Sequence, residues 1–129
     1  MLGSYRNPMT TMLRLLVPIA LLITAPFAYA DCSDAESAAD DAYTYARRAL
    51  RETNFDDAQN YMRRARNSAD DAKSAAEDCG CDDAERNSDD AYTYARRGYN
   101  ASNLRELWGY AKRTMQTAEA ARNAASSCR

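Results

Sequence analysis

The sequence contains no histidine, and after position 30 it contains no proline, valine or isoleucine. The first absence removes the commonest general base and a frequent metal ligand. The others remove the residue that breaks helices and two of the strongest strand formers. Glycine after position 30 is confined to Gly80, Gly98 and Gly109. There is therefore no glycine-rich phosphate loop, and no serine or cysteine stands beside an evident base. An enzyme is not expected, and nothing in the sequence calls for a cofactor. Lysine is limited to Lys73 and Lys112. All nineteen acidic residues but only fifteen of the seventeen basic ones follow position 30, so that part carries four more negative charges than positive. Such a balance is a poor match for nucleic acid, whose phosphates require a positive surface.

What is present divides sharply at position 30. Arg6 and Arg14 precede an apolar run over 15–24, which is too short to span a bilayer. Ala28-Tyr29-Ala30 has the small-x-small form of a signal-peptidase site. We expect residues 1–30 to be a signal peptide and the mature chain to be exported, periplasmic or secreted, with no membrane anchor after cleavage. The rest is rich in alanine, aspartate and arginine, a composition that favours helix.

The nine residues DDAYTYARR occur at 40–48 and again at 89–97. The offset of 49 aligns the whole mature region without a gap: Cys32 falls on Cys81, Cys79 on Cys128, Tyr61 on Tyr110 and Arg64 on Arg113. We read two repeats, 31–79 and 80–129. Within the first, Ala35, Ala38, Ala42, Tyr45 and Ala49 recur at steps of three and four. After Thr53-Asn54 the rhythm resumes with Phe55, Ala58, Met62, Ala65, Ala69, Ala72 and Ala76. Asn54 with Asp57, and Asn103 with Glu106, have capping-box spacing. The expected fold is all-α: a tandem duplication of an antiparallel αα-hairpin, four helices over 33–52, 55–78, 82–101 and 104–127. One four-helix bundle and two separate hairpins both suit alanine-rich surfaces.

An antiparallel hairpin sets the start of its first helix beside the end of its second. That geometry favours disulfides Cys32–Cys79 and Cys81–Cys128 among the three pairings four cysteines allow. Export would supply the oxidising compartment. Cys79-Gly80-Cys81 also has the look of a redox or metal motif, but it lacks histidine partners, and no metal site is expected there.

On a helical wheel the DDAYTYARR alanines face the seam, the tyrosines flank it, and Arg47 lies four residues from Tyr43. Tyrosine, tryptophan and arginine are enriched at interface hot spots. The candidate partner-binding residues are therefore Tyr43, Arg47, Tyr92, Arg96, Tyr99, Trp108 and Tyr110; Trp108 replaces Gln59 of the first repeat and lies outside the seam on the helical count. The cysteine end is acidic and the half nearer the turns is basic, a pattern that an inverted second molecule would complement. The expected function is a binding module for a protein partner in the cell envelope or extracellular space, with a many-client chaperone as the alternative and an antiparallel homodimer as a further partner reading.

Overall fold

The structure is a computed structural model that describes residues 31–128; the expected signal peptide lies outside the described residues. Four helices follow one another: α1 (Ser33–Arg51), α2 (Phe55–Asp78), α3 (Asp82–Tyr99) and α4 (Leu104–Ser127). Among the described residues there is no strand, and no helix is long and apolar enough to cross a membrane.

The helix ends follow local chemistry. The Asn54 side chain accepts from the Asp57 N–H at 3.0 Å, and the Asn103 side chain accepts from the Glu106 N–H at 2.9 Å. Each satisfies one of the amides left without an intrahelical partner. The Glu106 carboxylate reaches back one residue further than a capping box requires, to the Ser102 N–H at 3.3 Å. At the other end of α2, Gly80 takes φ +73°, a conformation that side-chain-bearing residues rarely adopt. Its N–H donates to the Glu77 carbonyl at 3.1 Å, and the Cys81 N–H donates to the Ala76 carbonyl at 2.9 Å. These are the two bonds of a Schellman motif, and they turn the chain from α2 into α3. Two helices end sooner than expected. Glu52 is extended after α1, and α3 stops at Tyr99, where the Ala101 N–H turns back to the Gly98 carbonyl at 3.2 Å and Ala101 becomes buried.

Two disulfides, Cys32–Cys79 and Cys81–Cys128, hold Cα atoms 5.5 Å and 5.9 Å apart. Each joins the beginning of one helix to the end of the next, so α1 pairs antiparallel with α2, and α3 with α4. The hairpins do not stand apart. α2 also packs along α3 and α4 along α1, while the diagonal pairs barely touch, which makes one four-helix bundle. Closing the bundle turns the buried stripe of each helix toward a common axis. Ala39 of α1 is therefore buried where Ala38 was expected, and Tyr45 is half-buried beside the stripe.

The core changes along its length. Near the cysteines it is small: Ala35, Ala76, Ala84 and Ala125 beside the sulfurs, then Ala39, Ala72 and Ala121, then one alanine from each helix, Ala42, Ala69, Ala91 and Ala118. Toward the turns it widens around Met62 and Leu107, with Phe55, Tyr61, Leu104 and Trp108 packed against it. A buried methylene contributes about 0.8 kcal/mol, so the alanine layers stabilise little for their length. Each disulfide contributes about 4 kcal/mol in the chain-entropy model, a large part of the roughly 5–15 kcal/mol that holds a domain folded. The disulfides thus reinforce the end where the core is thinnest, and they fit a non-reducing compartment.

Candidate aromatic groove between the first and last helices

The repeated motif places its tyrosines at the helix edges, where arginines cover them. Arg47 lies over the Tyr43 ring at 6.0 Å and Arg96 over Tyr92 at 6.0 Å. Arg64 lies over Tyr45 at 5.9 Å and Arg113 over Tyr94 at 5.8 Å. These pairs match under the 49-residue offset. So do two ion pairs that cross between hairpins, Lys73 with Asp89 at 3.0 Å and Arg122 with Asp40 at 2.7 Å. The hydrogen bond to Asp89 is the main reason the Lys73 ammonium is held above its ordinary pKa, and the bond to Asp40 does the same for the Arg122 guanidinium. Both pairs are substantially exposed, so their contribution is modest.

Positions 59 and 108 make a further matched bridge. Gln59 Nε2 donates to the Tyr99 carbonyl at 3.0 Å, at the end of α3. The Trp108 indole N–H donates to the Ala49 carbonyl at 3.1 Å and the Glu52 carbonyl at 3.2 Å, at the end of α1. Carbonyls at a helix end run short of intrahelical donors; Ala49 already accepts from the Glu52 N–H at 3.2 Å, and the neighbouring hairpin supplies the further donors. Trp108 lies outside its own hairpin's seam, as the helical count says, because it fills the seam between hairpins.

The seven candidate residues do not meet in one patch. Tyr43 and Arg47 lie on α1 beside α4, where Arg122 also covers the Tyr43 ring at 5.3 Å. Tyr99 lies on the α2 side of α3 beneath Arg66, at 5.1 Å. Tyr92 packs beside the four-alanine layer under Arg96. Trp108 reaches α1, and Tyr110 sets its Cβ close to Gly98 of α3. Tyr43 alone of the seven lines an open groove of about 250 Å³, with Leu50 of α1 and Lys112, Met115, Gln116 and Glu119 of α4. Leu50 and Met115 are not among the seven candidates, although the helical count sets Leu50 beside Tyr43 and the chaperone alternative draws on Met115 and on Met62, which is buried. The signal was present in the offset comparison, where Met115 falls on Arg66 and Leu50 on Tyr99. On the α2–α3 face Arg66 lies over Tyr99; on the α1–α4 face the same two positions hold methionine and leucine and leave an apolar floor.

Comparison with known proteins finds no matching family model, no matching curated protein and no matching solved structure.

Proposed function

We propose that this chain is an exported, non-enzymatic helical binding module, built by tandem duplication of a disulfide-clamped hairpin, and that it acts on a protein partner in the cell envelope or extracellular space. In this reading residues 1–30 direct export, and the repeats 31–79 and 80–129 form the module. The observation that carries it is the groove over Tyr43, Leu50 and Met115, an apolar floor of a kind that aromatic and methionine side chains make adaptable. Its rim is mixed in charge, with Lys112, Glu119, Arg47 and Arg122 around Tyr43. A mixed rim orients a partner more than it tightens it.

Capture from the envelope or secretion fraction with the oxidised protein as bait tests the reading, with a Tyr43→Ala, Met115→Ser variant run in parallel. One stoichiometric partner that the variant loses supports a binding module. A broad set of unrelated clients, together with suppression of aggregation of unfolded proteins, supports a chaperone instead; the flexible Met115 in the groove is the feature that favours this second reading. Recovery of the bait alone supports the antiparallel homodimer, in which the acidic cysteine pole of one copy lies against the basic half of the other.

A further inference from the structure

The sequence presents Cys79-Gly80-Cys81 as an isolated pair, but the fold assembles four sulfurs. Cys32 and Cys81 stand at the N-caps of α1 and α3, and Cys79 and Cys128 at the C-caps of α2 and α4. Each helix therefore delivers one sulfur to the same pole. The sulfurs of Cys32, Cys81 and Cys128 lie within 4.8 Å of one another, and Cys79 is bonded to Cys32. A tetrahedral zinc site with Zn–S bonds of about 2.3 Å has sulfur–sulfur edges of roughly 3.8 Å, so three of the sulfurs already lie near the required size, and Cys79, which stands outside that set, turns inward once its disulfide opens.

We propose that the reduced form of this protein holds one thiophilic divalent cation, zinc being the type, through Cys32, Cys79, Cys81 and Cys128. A dithiol reductant opens each disulfide by exchange: two protein thiols form, the dithiol becomes a cyclic disulfide, and two electrons and two protons pass to the protein. The four thiols then release four protons to solvent as four sulfur–metal bonds form. Cys32 and Cys81 are 5% and 2% exposed, while Cys79 and Cys128 are half-buried, so the ion is covered on the side of the core and faces solvent on the other. The Schellman turn at Gly80 holds the Cys79 and Cys81 backbones in place through its two amide bonds. An open depression of about 390 Å³ lined by Cys81, Cys128, Asp82, Asp83, Arg86 and Ser127 gives reductant and cation a way in; Arg86 pairs with Asp83, so Asp82 is the carboxylate left to attract the cation. Four thiolates complete a tetrahedral shell, so the site is a structural clamp that replaces two covalent crosslinks with one metal crosslink.

The test uses residues 31–129, reduced with a dithiol, freed of reductant without oxygen, and titrated with Co²⁺ and then Zn²⁺ while helicity is followed. The expected result is one Co²⁺ per chain with the visible absorption of a tetrahedral thiolate site. Zinc then displaces the cobalt, four thiols resist alkylation, and native helicity is kept or regained as the ion binds. The oxidised protein binds neither ion at this pole. A Cys32→Ser, Cys79→Ser variant, whose remaining disulfide is reduced in the same way, keeps two thiols and binds zinc about 100-fold or more weakly. Two ions per chain, equal affinity in the variant, metal uptake without recovery of helix, or no uptake would each overturn the proposal.

Discussion

Ser88 is the position where a single atom is least at ease. Its side chain is 1% exposed, and its hydroxyl oxygen has no hydrogen-bond partner among the described residues. Thr114, equally buried, donates its hydroxyl to the Tyr110 carbonyl at 2.9 Å. The offset places alanine, Ala39, opposite Ser88 in the first half. A buried hydroxyl without a partner costs about 1–3 kcal/mol, so Ser88→Ala is expected to stabilise the protein by about 1 kcal/mol, read as a higher urea midpoint with unchanged slope. Gly98 is the second such position. A Cβ there would stand 2.8 Å from Met62 Cε and 3.2 Å from Tyr110 Cβ. In the other half the corresponding pair is Ala49 and Ala111, so glycine and methionine have exchanged volume. Gly98→Ala is therefore expected to be less favourable, by about 1 kcal/mol, with Met62 present than in a Met62→Ala background. A double-mutant cycle in urea measures that coupling, and additivity would deny it.

The helices themselves were legible in the sequence, because alanine steps of three and four, Asn54, Asn103 and Gly80 all act over a few residues. The disulfides were legible too, since a hairpin brings its own ends together. How the hairpins join was not. Trp108 meets Ala49 and Glu52 across more than fifty residues of chain, and alanine occupies both the buried stripe and its half-buried flanks (Ala38, Ala75, Ala120, Ala124), so periodicity does not tell one seam from two. The groove was half visible: Tyr43 stood out as an aromatic, but Leu50 and Met115 matter only because α1 and α4 lie side by side. The same holds for the sulfur cluster, whose members sit on four different helix ends. The joint makes a measurable claim. Trp108→Phe keeps an aromatic ring between the hairpins, but loses the second ring of the indole and the N–H that the Ala49 and Glu52 carbonyls share. Stability is expected to fall by about 1–2 kcal/mol, and amides near the end of α1 are expected to exchange faster. Unchanged exchange there would mean that the hairpins are joined by packing alone.

At the scale of the whole molecule, charge follows helix direction in α1 and α3 but not in α2 and α4, whose last turns hold no basic residue. α1 and α3 begin at the cysteine pole with Asp34, Glu36, Asp82, Asp83 and Glu85 and end with Arg48, Arg51, Arg96 and Arg97. Acid at N-termini and base at C-termini suit the macrodipoles. Between the poles, Lys73–Asp89 and Arg122–Asp40 tie the hairpins on opposite faces. Folding raises the Lys73 pKa, so the stability from that pair is fully present below the ordinary lysine value of about 10.4 and is lost as the pH rises through the folded value. Stability measured from pH 7 to 9 should therefore show no loss from this pair. A Lys73→Met variant should lag behind the parent at pH 9 and converge toward it only as the pH rises through the raised lysine value. A difference that vanished by pH 8 would contradict the assignment.

At this scale the central claim is that the α1–α4 face, and not its α2–α3 counterpart, meets a protein partner. Gln116 lines the groove, and the offset places Asn67 at the matching point on the other face. The most direct measurement installs a photo-cross-linking side chain at 116 in one protein and at 67 in another, and irradiates each with the native envelope or secretion fraction. The account predicts a single cross-linked species of fixed stoichiometry from position 116, with little from position 67. Equal yields from the two positions, or a smear of unrelated products from 116, would contradict it.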